Sequence, residues 1–255
     1  MRILYIILMM IPVFIAGCSE ASNASDDSTE ILISSASSLT ESLLEIKDEF
    51  EKHNESVTVT FNFGGSGSLR KQIEQGAPAD LFFSASKKDY ELLVEEGMVL
   101  EGSAILENEL VLIKSKQTDI DSLDDFLLRD GELAVGTPEA VPAGTYAKEV
   151  LENLGVWNQL QDRMVLTKDV TQVLTYVREG AADIGFVYAS DIVGVEDIDS
   201  LEKIDTSLHA PIEYYAAIIN KETEGRPDAI EDFYQFLHSD LAIEIFEKNG
   251  FQVSR

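Results

Sequence analysis

Residues 31–69 read ILISSASSLTESLLEIKDEFEKHNESVTVTFNFGGSGSL, and this stretch decides the fold class. Ile31-Leu32-Ile33 is a short apolar run, Leu39, Leu43, Ile46 and Phe50 follow at helical spacing, and Val57 to Phe61 returns to β-rich residues. Strand, amphipathic helix and strand in that order predict a βαβ unit, the element of a mostly parallel sheet covered by helices. Each strand runs into a hydroxyl- and glycine-rich turn that enters a helix: Ser34 to Glu41 after the first, Asn62 to Leu69 after the second. Ser38-x-x-Glu41 has capping-box spacing, which predicts Ser38 at a helix N-terminus. Two such turns after neighbouring strands face one crevice at the carboxyl ends of the sheet. Helix N-termini present free N–H groups with partial positive charge, and glycine lets backbone approach a ligand closely, so the pair points to an anion.

Working outward, the pattern continues with a helix from about Ser68 to Glu74, a strand at Leu81-Phe82-Phe83, a helix from Lys87 to Glu96 and a strand at Leu110 to Ile113. A second series follows at Leu133-Ala134-Val135, Tyr146 to Leu154, Met164 to Leu166, Val170 to Arg178 and Ile184 to Tyr188, so two α/β units are expected. The second repeats the turn theme at Gly136 to Gly144, at Lys168 to Gln172 and at Val187 to Asp191, with Asp169-x-x-Gln172 again at capping-box spacing. The chain closes with a strand at Tyr214 to Ile219 and helices at Pro227 to Leu237 and Leu241 to Lys248, where Gly250 suits a C-terminal stop. A return of these elements to the first unit makes the chain cross twice, near Glu109-Leu110 and near Glu213-Tyr214, which is a hinge geometry.

With 255 residues, 45% of them apolar, a sizeable core is available. Lys and Arg number 19 against 47 Asp and Glu, a formal net charge of −28, which argues against a nucleic-acid partner. That field repels an anion at long range, so an anion site must act through short-range donors. A single Cys excludes a disulfide framework and any Cys-based metal cluster.

Enzymatic and nucleotide-binding readings find little support. The Gly64 to Ser68 turn lacks the Lys of a Walker A sequence and does not fit the G-x-S-x-G elbow of hydrolases. His53, His209 and His238 are isolated in sequence, and Asp26-Asp27 and Asp124-Asp125 read as solvated faces. No catalytic residue, cofactor or resident metal ion is expected.

Ahead of the folded part, Ile3 to Gly17 is about half the length needed to span a bilayer and contains Pro12, which reads as a secretory signal. Its end, Ile15-Ala16-Gly17-Cys18, resembles the bacterial lipobox, which implies cleavage before Cys18 and lipidation of its sulfur. Residues 1–17 are then a signal peptide, and 18–29 the lipidated Cys with a polar tether. The expected product is a cell-membrane-anchored lipoprotein on the extracytoplasmic side.

Four stretches carry a wider resemblance: Ser-Ser-Leu-Thr at 37–40, Gln-Ile-Glu-Gln-Gly-Ala-Pro-Ala-Asp-Leu-Phe at 72–82, Ala-Val-Gly-Thr-Pro-Glu-Ala-Val-Pro-Ala-Gly-Thr-Tyr-Ala-Lys-Glu at 134–149 and Gly-Phe-Val-Tyr-Ala-Ser-Asp at 185–191. In order and over nearly all of the folded chain, they resemble the molybdate-binding proteins of ABC importers. The resemblance implies a type II periplasmic-binding-protein fold, two doubly wound α/β lobes joined by a two-strand hinge. Lobe 1 is then 30–109 with 214–255, and lobe 2 is 110–213. It implies a monomer that captures molybdate or tungstate and hands it to an ABC permease with its ATPase. In that family two hydroxyls, a phenol and backbone N–H groups hold the oxyanion, with no cationic side chain in contact. Matched residue by residue, these are Ser38, Ser66, Ala143, Val170 and Tyr188. The first turn departs from the family's alanine-rich form through Ser34, Ser35 and Ser37.

A site made of donors alone discriminates by protonation. Monohydrogen phosphate carries a proton that needs an acceptor, and an unpaired buried polar group costs about 1–3 kcal/mol. Sulfate lacks that proton, so cavity size must exclude it. Phosphate stays open as an alternative through Asp169, whose carboxylate accepts the proton if it points inward instead of capping. Ferric ion is a more distant alternative, because Tyr214-Tyr215 resembles the adjacent tyrosines of ferric-ion binding proteins. The period-two alternation of Glu213 to Ile219 reads more simply as a strand with one tyrosine on each face.

Overall fold

A computed structural model describes residues 29–221 and 227–254. The signal sequence, Cys18, the tether ahead of Thr29 and Asp26-Asp27 lie outside the described residues.

The first half comprises β1 (Thr29–Ala36), α1 (Thr40–His53), β2 (Val57–Gly64), α2 (Ser66–Glu74), β3 (Leu81–Ser84), α3 (Lys87–Glu95) and β4 (Val99–Glu107). Next come β5 (Leu110–Ser115), α4 (Leu123–Leu127), β6 (Leu133–Gly136), α5 (Pro142–Asn153), α6 (Trp157–Leu160), β7 (Met164–Thr167), α7 (Val170–Arg178), β8 (Ile184–Tyr188) and β9 (Ile198–Lys203). The chain ends with β10 (Glu213–Ile219), α8 (Asp228–Phe236), α9 (Asp240–Lys248) and β11 (Gln252–Val253).

Two mixed sheets result, ordered β11-β4-β10-β3-β1-β2 and β7-β6-β8-β5-β9. The βαβ runs form the parallel parts, β2-β1-β3 and β7-β6-β8. Antiparallel pairs join where the crossing strands enter, β10 against β3 and β4, and β5 against β8 and β9. The sheets are therefore less parallel than the alternation of strands and helices suggests. The chain passes between them twice, through Asn108-Glu109 and through the segment before β10, and Asn108 N–H donates to Ile212 O at 3.1 Å where the crossings meet.

Helical spacing explains how α1 docks: Leu43, Ile46 and Phe50 are buried with Leu39 against Ile31, Ile33 and Val59 of the sheet. Phe50 meets Phe233 of α8 edge to face at 5.0 Å, which ties the C-terminal helices to the first sheet. The strand period then covers the other face: Phe83 of β3 points into this core, while Phe82 packs with Leu69, Ile73 and Leu93 beneath α2 and α3. In the second sheet Ala134, Ile184 and Phe186 are buried with Val150, Val173 and Val177 of the flanking helices.

Register sets the position of the turns. Ala36 pairs with Gly64 at the carboxyl ends of β1 and β2, and Gly136 with Thr167 at those of β6 and β7. The turns after β1, β2 and β3 thus leave one edge of the first sheet together, and face the turns after β6, β7 and β8. Among the described residues no helix is long and apolar enough to cross a membrane.

Candidate functional site

The facing turns enclose a small cavity lined by Ala36, Ser37, Ser38, Gly64, Gly65, Ser66 and Ala85 from one side, and Val141, Pro142, Ala143, Val170 and Tyr188 from the other. The five residues Ser38, Ser66, Ala143, Val170 and Tyr188 all lie on its wall, although they come from five separate turns. Its volume is about 10 Å³. Drug-sized ligands occupy clefts of about 300–1,000 Å³, so this cavity suits only an ion of a few atoms. Among the described residues neither a carboxylate nor a cationic side chain lines it. A wider groove of about 560 Å³ beside it carries mixed charge, with Arg70, Lys87 and Lys148 near Glu139, Glu149 and Glu213.

The donors are built in by local structure. Val170 opens α7, and Ala143 is the second residue of α5, behind Pro142, which has no N–H to offer. Their N–H groups are among those that a helix leaves without an intrahelical acceptor, at its positive end. Ser66 opens α2 and is fully buried; its Oγ accepts from Ala85 N at 3.0 Å, which leaves its own hydrogen to donate. Tyr188, at the end of β8, is 1% exposed, and its Oη has no hydrogen-bond partner among the described residues. Burial pushes its phenol well above the ordinary range, so it stays a neutral donor. Asp191 accepts from Tyr188 N at 2.8 Å and fixes the turn; burial raises its carboxyl to about 7 against the opposing pull of that N–H.

Ser38 departs from its expected role. It sits in a short 3-10 turn, Ser37–Leu39, and the N-cap position of α1 falls on Leu39 without a side-chain cap. The extra turn carries Ser38 past the capping position, and its Oγ pairs with Tyr214 Oη at 2.9 Å instead. Of the additional serines, Ser34 and Ser35 belong to β1, and only Ser37 joins Ser38 on the cavity wall.

Asp169 does cap α7: its carboxylate accepts from Gln172 N at 2.8 Å, and it is absent from the cavity wall. The acceptor that phosphate requires is thus turned away. Tyr214 and Tyr215 point to opposite faces of β10, Tyr214 toward Ser38 and Tyr215 onto the Tyr90 ring with its hydroxyl donating to Glu213. Two phenols on opposite faces cannot share a ferric ion. Sequence reasoning singled out Tyr214 only as a ferric-ion candidate and missed Asn108; Tyr214 pairs with Ser38 across 176 residues of chain and with Asn108 across 106.

The two halves touch directly over the cavity. Gly67 N–H donates to Ala140 O at 3.0 Å. A Cβ at Gly65 would stand 2.6 Å from Ala140 O and 3.0 Å from Lys168 O, and one at Gly67 3.1 Å from Ala140 Cα. Both glycines are therefore set by the close approach of the opposite half.

Comparison with known proteins agrees with this architecture. Over 242 residues the chain is 40% identical to YvgL of Bacillus subtilis (strain 168), whose name describes an ABC transporter substrate-binding lipoprotein, with 93% of this chain and 92% of that protein covered. It is 37% identical over 243 residues to the molybdate-binding protein ModA of Escherichia coli (strain K12), covering 91% and 93%. The solved periplasmic molybdate-binding protein of Azotobacter vinelandii superposes with a TM-score of 0.78 at 26% identity, covering 88% of this chain and all of that one. Residues 31–252 match the bacterial extracellular solute-binding protein model, and the chain belongs to that family.

Proposed function

We propose that the chain captures molybdate or tungstate outside the cytoplasm, and delivers it to an ABC permease and its ATPase. The observation that carries this reading is the Tyr188 hydroxyl, which among the described residues is buried without a partner, on the wall of an ion-sized cavity that they line with no charged side chain. A buried hydroxyl left unpaired costs about 1–3 kcal/mol, and an enclosed oxyanion removes that cost. Ser38, Ser66 and Tyr188 donate through side chains, Ala143 and Val170 through backbone N–H groups. Helix N-termini stabilise a dianion without a formal countercharge, so the overall charge of −28 does not oppose tight binding at short range. The name of the Escherichia coli relative supports molybdate as the ligand.

Each sheet with its helices acts as one lobe, 30–109 with 214–255 and 110–213, and the ligand is held by closure between them. The protein works as a monomer and catalyses no reaction. Lipidation at Cys18 tethers it to the cell membrane, a reading supported by its lipobox-like sequence and the description of the Bacillus relative.

Thermal unfolding of the ligand-free chain with each anion tests the proposal. A ligand at a hundred times its Kd adds about 2.7 kcal/mol, or roughly 5–11 °C in Tm for a protein of this size. Molybdate and tungstate are expected to produce that shift, and sulfate and phosphate at equal concentration are not. An equal shift with phosphate refutes the assignment.

A further inference from the structure

The Ser38 hydroxyl ends a chain of hydrogen bonds whose direction is fixed at its far end. Asn108 lies on the first crossing between the sheets. Its Oδ1 accepts from Glu109 N at 2.9 Å, which orients the amide and leaves Nδ2 as the donor. Nδ2 reaches Ser190 Oγ at 2.8 Å and Tyr214 Oη at 3.3 Å, one hydrogen for each. Tyr214 Oη accepts from Asn108 and must send its own hydrogen elsewhere. Its other partner is Ser38 Oγ at 2.9 Å. Tyr214 is fully buried, and burial keeps its phenol protonated far above neutral pH. Ser38 Oγ thus receives a hydrogen, and its own hydrogen is left for the cavity.

We propose that Asn108 and Tyr214 are positioning residues that polarise Ser38 into an obligate donor toward the bound oxyanion. The inference rests on the oxyanion reading above. Neither residue lines the cavity; Asn108 lies in the link between β4 and β5, and Tyr214 lies on β10, beside the second crossing. Without the relay a serine hydroxyl donates or accepts with equal ease. With it, the Tyr214 hydrogen occupies one lone pair of the Ser38 oxygen, the Ser38 hydrogen cannot go back to Tyr214, and each bond in the chain polarises the next.

Reversing the relay tests the claim. Asn108→Asp is nearly isosteric and replaces the donor with an acceptor. The Tyr214 hydrogen then turns to the new carboxylate, Tyr214 offers a lone pair to Ser38, and the Ser38 hydrogen swings away from the cavity. Isothermal titration with molybdate on the full chain in detergent is expected to give at least about 100-fold weaker binding for Asn108→Asp, because the anion meets a lone pair in place of a donor. Tyr214→Phe, which leaves Ser38 free to rotate and still donate, is expected to lose only about tenfold. The double variant carries the same new charge without the phenol that transmits the reversal, so it recovers to within a few-fold of Tyr214→Phe. That recovery also excludes misfolding as the cause of the Asn108→Asp loss. A double variant as weak as Asn108→Asp assigns the effect to charge alone and overturns the relay, as does an Asn108→Asp variant that binds like wild type. Failure of the oxyanion reading shows separately, as a wild-type chain that binds neither molybdate nor tungstate.

Discussion

Removing one oxygen from Tyr188 is expected to move affinity and stability in different directions. The hydroxyl is buried and makes no hydrogen bond among the described residues, so Tyr188→Phe breaks no hydrogen bond there in the ligand-free molecule. The unpaired group costs the closed form about 1–3 kcal/mol, which the variant no longer bears. The ligand-free Tm is therefore expected to hold or to rise, by up to roughly 2–4 °C for each kcal/mol recovered. The bound state loses a hydrogen bond to a charged acceptor, worth about 1.5–3 kcal/mol, so Kd for molybdate rises roughly 10- to 150-fold. Thermal unfolding without ligand and isothermal titration with molybdate read the two effects on the same preparation. A clear fall in the ligand-free Tm with unchanged affinity would refute the reasoning, because it would show that the hydroxyl serves the fold and not the ligand.

Three further outcomes follow from the geometry. Gly65→Ala keeps an ordinary backbone (φ −72°, ψ 131°) and places a methyl 2.6 Å from Ala140 O; molybdate binding is expected to weaken at least about 100-fold, with a ligand-free Tm that holds or falls and no ligand-induced compaction in small-angle scattering. Asp169→Ala removes a helix cap at a cost of about 1 kcal/mol, or roughly 2–4 °C in Tm, and leaves phosphate as poor a ligand as before; new phosphate binding would show that the carboxylate had governed selectivity. Asp191 has its carboxyl raised to about 7 in the fold, so the native state holds a proton that the unfolded chain releases near pH 4. Its contribution is complete below about pH 4 and is lost as pH rises through about 7; Asp191→Asn is expected to flatten that decline in denaturant titrations across this range.

The βαβ runs were legible because their apolar residues follow one period at a time: Ile31 to Ile33 for a strand, Leu39 to Phe50 for a helix. β4 was not, since Val99-Leu100-Glu101-Gly102 interrupts both periods. Its glycine answers to a distant neighbour, the Tyr90 ring, whose Cε2 would be 2.8 Å from an added Cβ. β9 is an edge strand with acidic and polar residues along IDSLEK, which carries no buried run to read. At the site, Ser- and Gly-rich turns marked where donors gather, but a capping box and a 3-10 turn share the same letters at Ser38. The spacing x-x-Glu41 predicted the first and the chain forms the second. Resemblance supplied the individual residues that the cavity brings together. Asn108 left no local signal, and the Tyr214-Tyr215 pair pointed to a different role, because the value of both residues comes from contacts made only when both crossings pair.

The bond from Gly67 to Ala140 and the glycine-thin wall around it bear on time as much as on affinity. Under the proposed closure, an ion held between these facing turns leaves when the two halves part. Its residence time is then the waiting time for the two halves to part, whatever the individual donors contribute. Capture is governed by how often the open form exists, and release by how fast it reforms. A transporter that grips both halves and separates them would accelerate discharge without touching the ion, and the measured off-rate in free solution would underestimate the rate of delivery.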